Sequence, residues 1–283
     1  MPPSVGTTSK RGTATWRERP GHDPDQPLLR EGTLGSGSAG VSYRERAHLQ
    51  VFHRFAVRRA GGGTTAPVLT WDGRVLAESS AILEAASAQA PPALKLYPDD
   101  PRAGEEVRAM ERDFDERLGP EGRRWMYYEL RGRSDIARDY GCTGIPGWQR
   151  RALPFVYPFA VRIIDRVLDV RPETAARAEG AVRATFDEVA ERLADDRPYL
   201  CGESFTAADL TFAVLAAAVL MPPEYGVPLP QPEALPAGMA AKVDEFRARP
   251  AGAHALRMFR EERPLSRRRR VAAWNATSHS CVG

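Results

Sequence analysis

The chain has 283 residues, 42% of them hydrophobic and 27% charged, with a formal net charge of +3. That length allows two compact domains with sizeable cores, and no apolar run is long enough to cross a bilayer, so a soluble protein with no membrane partner is expected. The small charge, mixed in sign through the body, gives no case for a nucleic-acid partner. Cys142, Cys201 and Cys281 are far apart, without Cys-x-x-Cys or a pairing pattern, which points to a reducing cytoplasm.

In chain order, Met1 to Ser38 is built largely from Gly, Pro, Ser, Thr and Arg, with neither apolar alternation nor a helical stripe, and reads as disordered. Val68–Thr70 and Arg74–Leu76 read as two short strands. Trp71-Asp72-Gly73 supplies the turn between them, because Gly tolerates positive φ. Glu78-Ser79 then precedes an apolar helical run, a place where side-chain oxygens and free backbone N–H groups meet. A hairpin feeding a helix N-terminus is a ready site for a carboxylate.

From Pro101 to Glu262 the period is largely helical. Pro101 suits a first turn, and Val107, Met110, Phe114 and Leu118 follow at helix spacing. Gln149 to Val170 carries Phe155, Phe159, Ile163, Ile164, Val167 and Leu168, with Pro154 and Pro158 bending its first turns. Pro172 opens a helix whose stripe is Ala178, Val182, Phe186, Val189 and Leu193, ending near Asp195. Thr206 is a good N-cap for the next helix, and Asp209, three residues on, can reach back to the cap's N–H. Phe205 and Leu210 place an apolar staple around this start. Capping, not acid catalysis, is the expected role of Asp209, worth on the order of 1 kcal/mol. The Ala- and Leu-rich helix suits a buried position. Met221 to Pro236 holds six prolines and reads as a loop, after which Ala237–Arg249 and Ala251–Glu262 read as two short helices.

The stretch Thr64 to Leu83, together with Leu200 to Leu215 (Gly202, then Thr206-Ala207-Ala208-Asp209), resembles the glutathione S-transferases. The resemblance covers roughly Gly40 to Pro264. It implies a partial thioredoxin-like α/β domain followed by an all-helical domain. It also implies a homodimer, glutathione as co-substrate, a small electrophilic or disulfide substrate, and no metal. By resemblance, Ala66 offers its backbone to the cysteinyl part of glutathione, Pro67 takes the family's cis-proline position, and Glu78 with Ser79 holds the γ-glutamyl group. Thr206 and Asp209 take the structural cap. The implied boundaries are a disordered or mistranslated segment over 1–39, the partial glutathione-binding domain over 40–92, the helical domain over 101–263 and a basic disordered tail over 264–283.

The N-terminus departs from the family pattern. Val41-Ser42-Tyr43-Arg44-Glu45 looks like the second strand, but no residue matches the Ser, Tyr or Cys that activates the glutathione sulfur, so no catalytic residue is assigned. A hypothesis accounts for the gap: the residues before Ala39 are read in the wrong frame. Leu28 to Ser38, read one base later, can spell Tyr-Cys-Glu-Lys-Ala-Arg-Trp-Ala-Leu-Asp-Arg, which looks like the first helix of a Cys-bearing branch. The alternative is a genuine disordered extension. Sequencing the gene across Gly21 to Tyr43 decides between them, since an unbroken frame whose codons cannot spell that segment removes the first.

Weaker candidates remain. Trp125 and Tyr128 could line a pocket for the electrophile or could equally be ordinary core and rim. His48 and His53 lack partners at ligand spacing, so a metal site is not expected. Arg267 to Arg270 reads as a solvated basic end. Two functions follow: a glutathione-dependent enzyme performing conjugation or thiol exchange, or a non-catalytic binding or scaffold protein of the same fold.

Overall fold

The computed structural model describes residues 57–59, 61, 67–71, 73–140 and 147–262. The segment 1–39, with its frame hypothesis, and the tail lie outside these residues, as does Ala66. The described part is mostly helical and carries a small sheet of two strands. β1 (Leu69–Trp71) pairs antiparallel with β2 (Arg74–Leu76), in the register Leu69↔Leu76, Thr70↔Val75, Trp71↔Arg74. Gly73 sits at φ 77°, the left-handed conformation its place in the turn requires. α1 (Ser79–Ala88) follows at once and buries Ile82, Ala86 and Ser87.

The helical part begins where Asp100 caps α2 (Pro101–Asp113) by accepting from the Ala103 N–H at 2.8 Å. α2 does not stop; it widens through a π turn at Phe114–Leu118 and continues as α3 (Gly119–Glu129). Pro120 explains the widening, because it has no N–H and its ring crowds the preceding turn. After α4 (Ser134–Asp139) comes α5 (Gly147–Val167), with Pro154 and Pro158 inside it. α6 (Pro172–Arg192), α7 (Ala207–Leu220), α8 (Ala237–Ala248) and α9 (250–262) complete the order. Between α7 and α8 the proline-rich stretch forms short 3-10 turns at Pro223–Tyr225 and Pro232–Ala234.

α7 is the centre of the core. Its residues are apolar around the whole circumference, and almost all are buried, as expected of a helix with neighbours on every side. α2 packs against α7, and α3 packs against both α6 and α7. A chain of aromatic contacts runs through the middle. Phe114 meets Phe212 at 5.3 Å, Phe212 meets Phe186 at 5.6 Å, Phe186 meets Phe246 at 5.1 Å, and Phe246 meets Trp125 edge-on at 6.0 Å. These tilted and edge-to-face geometries are the favoured ones for aromatic pairs.

The hairpin and α1 join this bundle through a small polar seam. The buried Ser87 hydroxyl accepts from the Leu96 N–H at 2.9 Å and the Tyr97 N–H at 3.3 Å. Arg108 of α2 donates to Glu84 of α1 at 2.6 Å, and its guanidinium lies 5.1 Å from the centre of the Tyr97 ring. The Leu96 carbonyl in turn accepts from the Ala207 N–H at the start of α7.

Candidate functional site

The candidate glutathione site is built by the turn from β2 into α1. Glu78 leaves the strand extended, at φ −125° and ψ 144°, and the helix begins at Ser79. Both Glu78 and Ser79 are exposed, and the Glu78 side chain makes no capping hydrogen bond to its own helix. The Ile82 N–H is already satisfied by the Glu78 carbonyl, so the earlier N–H groups of the first turn are the ones with no partner within the helix. Such an end attracts a carboxylate, while the Glu78 side chain offers an acceptor for an ammonium. Pro67 is half-buried just before β1.

Trp125 and Tyr128 lie three apart on α3 yet meet different surroundings. Trp125 is fully buried in the aromatic chain, and its indole N–H finds no acceptor. Tyr128 is half-buried, with the Arg131 guanidinium 5.7 Å from its ring centre, so Tyr128 is the member of the pair with surface toward solvent.

At the start of α7 the structure brings Thr206 and Asp209 together. The Asp209 carboxylate is completely buried. Its Oδ2 accepts from the Thr206 N–H at 3.0 Å and from the Thr206 hydroxyl at 2.9 Å. Its Oδ1 accepts from the Leu200 N–H at 2.8 Å and faces His254 Nε2 at 3.1 Å. Arg257 donates to His254 Nδ1 at 3.3 Å, which leaves Nε2 to carry the proton toward Asp209. Arg257 also donates to the Pro198 carbonyl and stacks 5.3 Å from the Tyr199 ring centre. Asp209 therefore ties together the loop before α7, the helix start and α9. Every oxygen faces inward, a geometry for structure and not for substrate. His254 was not legible in the sequence, because a single His in an Ala-rich helix carries no local signal.

Among the described residues, Cys201 is a free thiol. It is half-buried, with its sulfur 3.7 Å from that of Met110. Burial, reinforced by the charge of Asp209, pushes its pKa up. That is the opposite of what a nucleophilic cysteine needs. Also among the described residues, no group of His, Cys, Asp and Glu is arranged to hold a metal, and no helix is long and apolar enough to cross a membrane.

Residues 172–274 match the family model for the glutathione S-transferase C-terminal domain. The region from α6 through α9 is thus a domain of that class. Three solved structures are similar to the chain. A glutathione transferase homolog from Sulfitobacter, solved with bound glutathione, is 18% identical over 81% of this chain and 92% of its own, with a TM-score of 0.43. Gtt2 from Saccharomyces cerevisiae is 18% identical over 80% and 96%, with a TM-score of 0.42. The beta-etherase LigF from a Sphingobium strain is 20% identical over 79% and 92%, with a TM-score of 0.45. No curated protein matches the sequence.

Proposed function

We propose that this protein uses glutathione as a co-substrate, in conjugation to a small electrophile or in thiol exchange with a disulfide. The observation that carries the reading is an open helix N-terminus, Glu78-Ser79, directly after a hairpin and joined to a glutathione S-transferase C-terminal domain. In this reading the first-turn N–H groups and the Ser79 hydroxyl take the α-carboxylate of the γ-glutamyl end. Glu78 accepts from its ammonium, and the backbone beside Pro67 takes the cysteinyl part. The nucleophile is the glutathione thiolate, and Tyr128 is the residue we assign to contact with the second substrate.

A second reading, a non-catalytic binding protein of the same fold, is favoured by a specific observation. Cys201, the free cysteine among the described residues, is half-buried with its pKa pushed up by burial, so it does not take the place of the activating residue left unmatched in the sequence. Titration calorimetry of glutathione into the full chain tests both. Binding is expected, weakened about tenfold or more in Ser79→Ala, since a charge-assisted hydrogen bond of about 1.5 kcal/mol or more is removed. Absence of binding would sink the first reading. Binding without turnover of a chromogenic aryl halide or a mixed disulfide would leave the second.

A further inference from the structure

Phe155, Phe159, Ile163 and Val167 recur every fourth residue along α5, and they are 78%, 65%, 50% and 74% exposed. Trp148, on the same side of the helix, is 59% exposed. A row at this spacing is a continuous ridge, about 18 Å long from Phe155 to Val167 at 1.5 Å per residue. Isolated apolar side chains on a surface are ordinary, but a contiguous ridge of large ones marks a contact. The inward face of α5 is already used, by the buried Gln149 and Leu153.

The charges beside the ridge identify what it meets. Arg151, Arg162 and Arg166 are exposed. At 3.6 residues per turn they project within about 40° of the direction of Phe155. Asp165, the acidic residue of α5, lies to one side and is engaged by Arg131 at 3.3 Å. The face is therefore apolar and basic together, without a carboxylate of its own to neutralise it.

We propose that α5 docks this protein on the surface of an anionic phospholipid bilayer. Phe155, Phe159, Ile163 and Val167 enter the boundary between headgroups and acyl chains, and Arg151, Arg162 and Arg166 meet the lipid phosphates. A second copy is disfavoured by charge, because pairing ridge to ridge about a two-fold axis brings both arginine sets together. An acidic protein partner would need a groove matched to a convex ridge, whereas a lipid surface conforms to it. The docking does not depend on glutathione binding.

Flotation of the full chain with vesicles tests this. Association is expected with mixed phosphatidylcholine and phosphatidylglycerol vesicles, weakening as salt rises, and not with phosphatidylcholine alone. The double variant Phe155→Ser/Phe159→Ser should lose association while keeping its melting temperature, since both side chains are exposed. Arg162→Gln and Arg166→Gln should each lower partitioning about fivefold, the equivalent of about 1 kcal/mol per basic residue. No association with the anionic vesicles, or association unchanged by the serine pair, overturns the proposal. A concentration-dependent dimer abolished by the serine pair, without vesicle association, overturns it too and assigns the ridge to a second copy.

Discussion

At the scale of single residues, two buried carboxylates do opposite things. Asp209 is surrounded by donors: the Leu200 and Thr206 N–H groups, the Thr206 hydroxyl and His254. The sequence made its capping role legible because Thr206 and Asp209 stand at a fixed short offset. His254 and the Leu200 N–H come from elsewhere in the chain and raise the expected loss. Asp209→Asn turns an acceptor into a donor against buried donors, and about 3 kcal/mol of stability should be lost in urea denaturation. A loss below about 1 kcal/mol would mean that Asp209 is an ordinary cap. Glu111, by contrast, has one carboxylate oxygen bonded to the Tyr97 hydroxyl at 2.6 Å and the other buried without a partner. Burial pushes its pKa up, although the Tyr97 hydrogen bond pulls the other way. A carboxyl that holds its proton more tightly when folded gives its full stabilisation below the unfolded pKa of about 4.3 and loses it as pH rises through the folded value. Glu111→Gln should therefore gain on the wild type as pH is raised from about 4 upward, and parallel stability curves would refute this.

At the scale of elements, the ends of helices explain how the bundle is joined. α7 ends in a left-handed Met221, at φ 46°, without the glycine usual there. Its last carbonyls are covered instead from α8 and the loop before it: Arg247 donates to Leu220 at 2.8 Å and to Met221 at 2.7 Å, and Gln231 of the loop also donates to Met221, at 3.2 Å. α9 starts hard against the end of α8. A Cβ on Gly252 would come within 2.9 Å of the Phe246 carbonyl carbon, a backbone atom that cannot swing away. Gly252→Ala should cost about 3 kcal/mol, measured as a lowered urea midpoint, because the helices must move apart. A near-neutral change would show that α9 slides freely on α8. The sequence outlined these helices well, since hydrophobic period and proline positions mark them. It did not reveal the π turn, which follows from Pro120 inside a longer helical run. Nor did it reveal which way the stripe of α5 faces. Period fixes that Phe155, Phe159, Ile163 and Val167 share a side, but whether a neighbour covers that side depends on the rest of the fold. The lack of a crossing segment speaks only to spanning a bilayer, and a helix lying on a surface leaves no such trace.

At the scale of the whole molecule, the hairpin and α1 depend on the bundle for their position. Ser87→Ala would leave the Leu96 and Tyr97 N–H groups buried without their acceptor. It should cost about 2 kcal/mol in thermal or chemical denaturation and loosen α1 against α2. Glutathione affinity should fall with it if Glu78 and Ser79 need that support. Unchanged stability would show that the seam is held by the Arg108–Glu84 ion pair instead. The site was legible in the sequence only as a hairpin feeding a helix start, because those signals are local. The seam that orients it was not, since Ser87 gives no sign of having Leu96 and Tyr97 as its partners.

α7 has a consequence for measuring this protein. Its flanks are buried by neighbouring helices, Asp209 fastens one end and Arg247 the other. No partial opening can expose its amide protons, so their exchange with deuterated solvent should require global unfolding. Those protons then form an internal clock. A substitution in α1 or α5 that leaves the clock unchanged has acted locally, and one that speeds it has weakened the entire bundle.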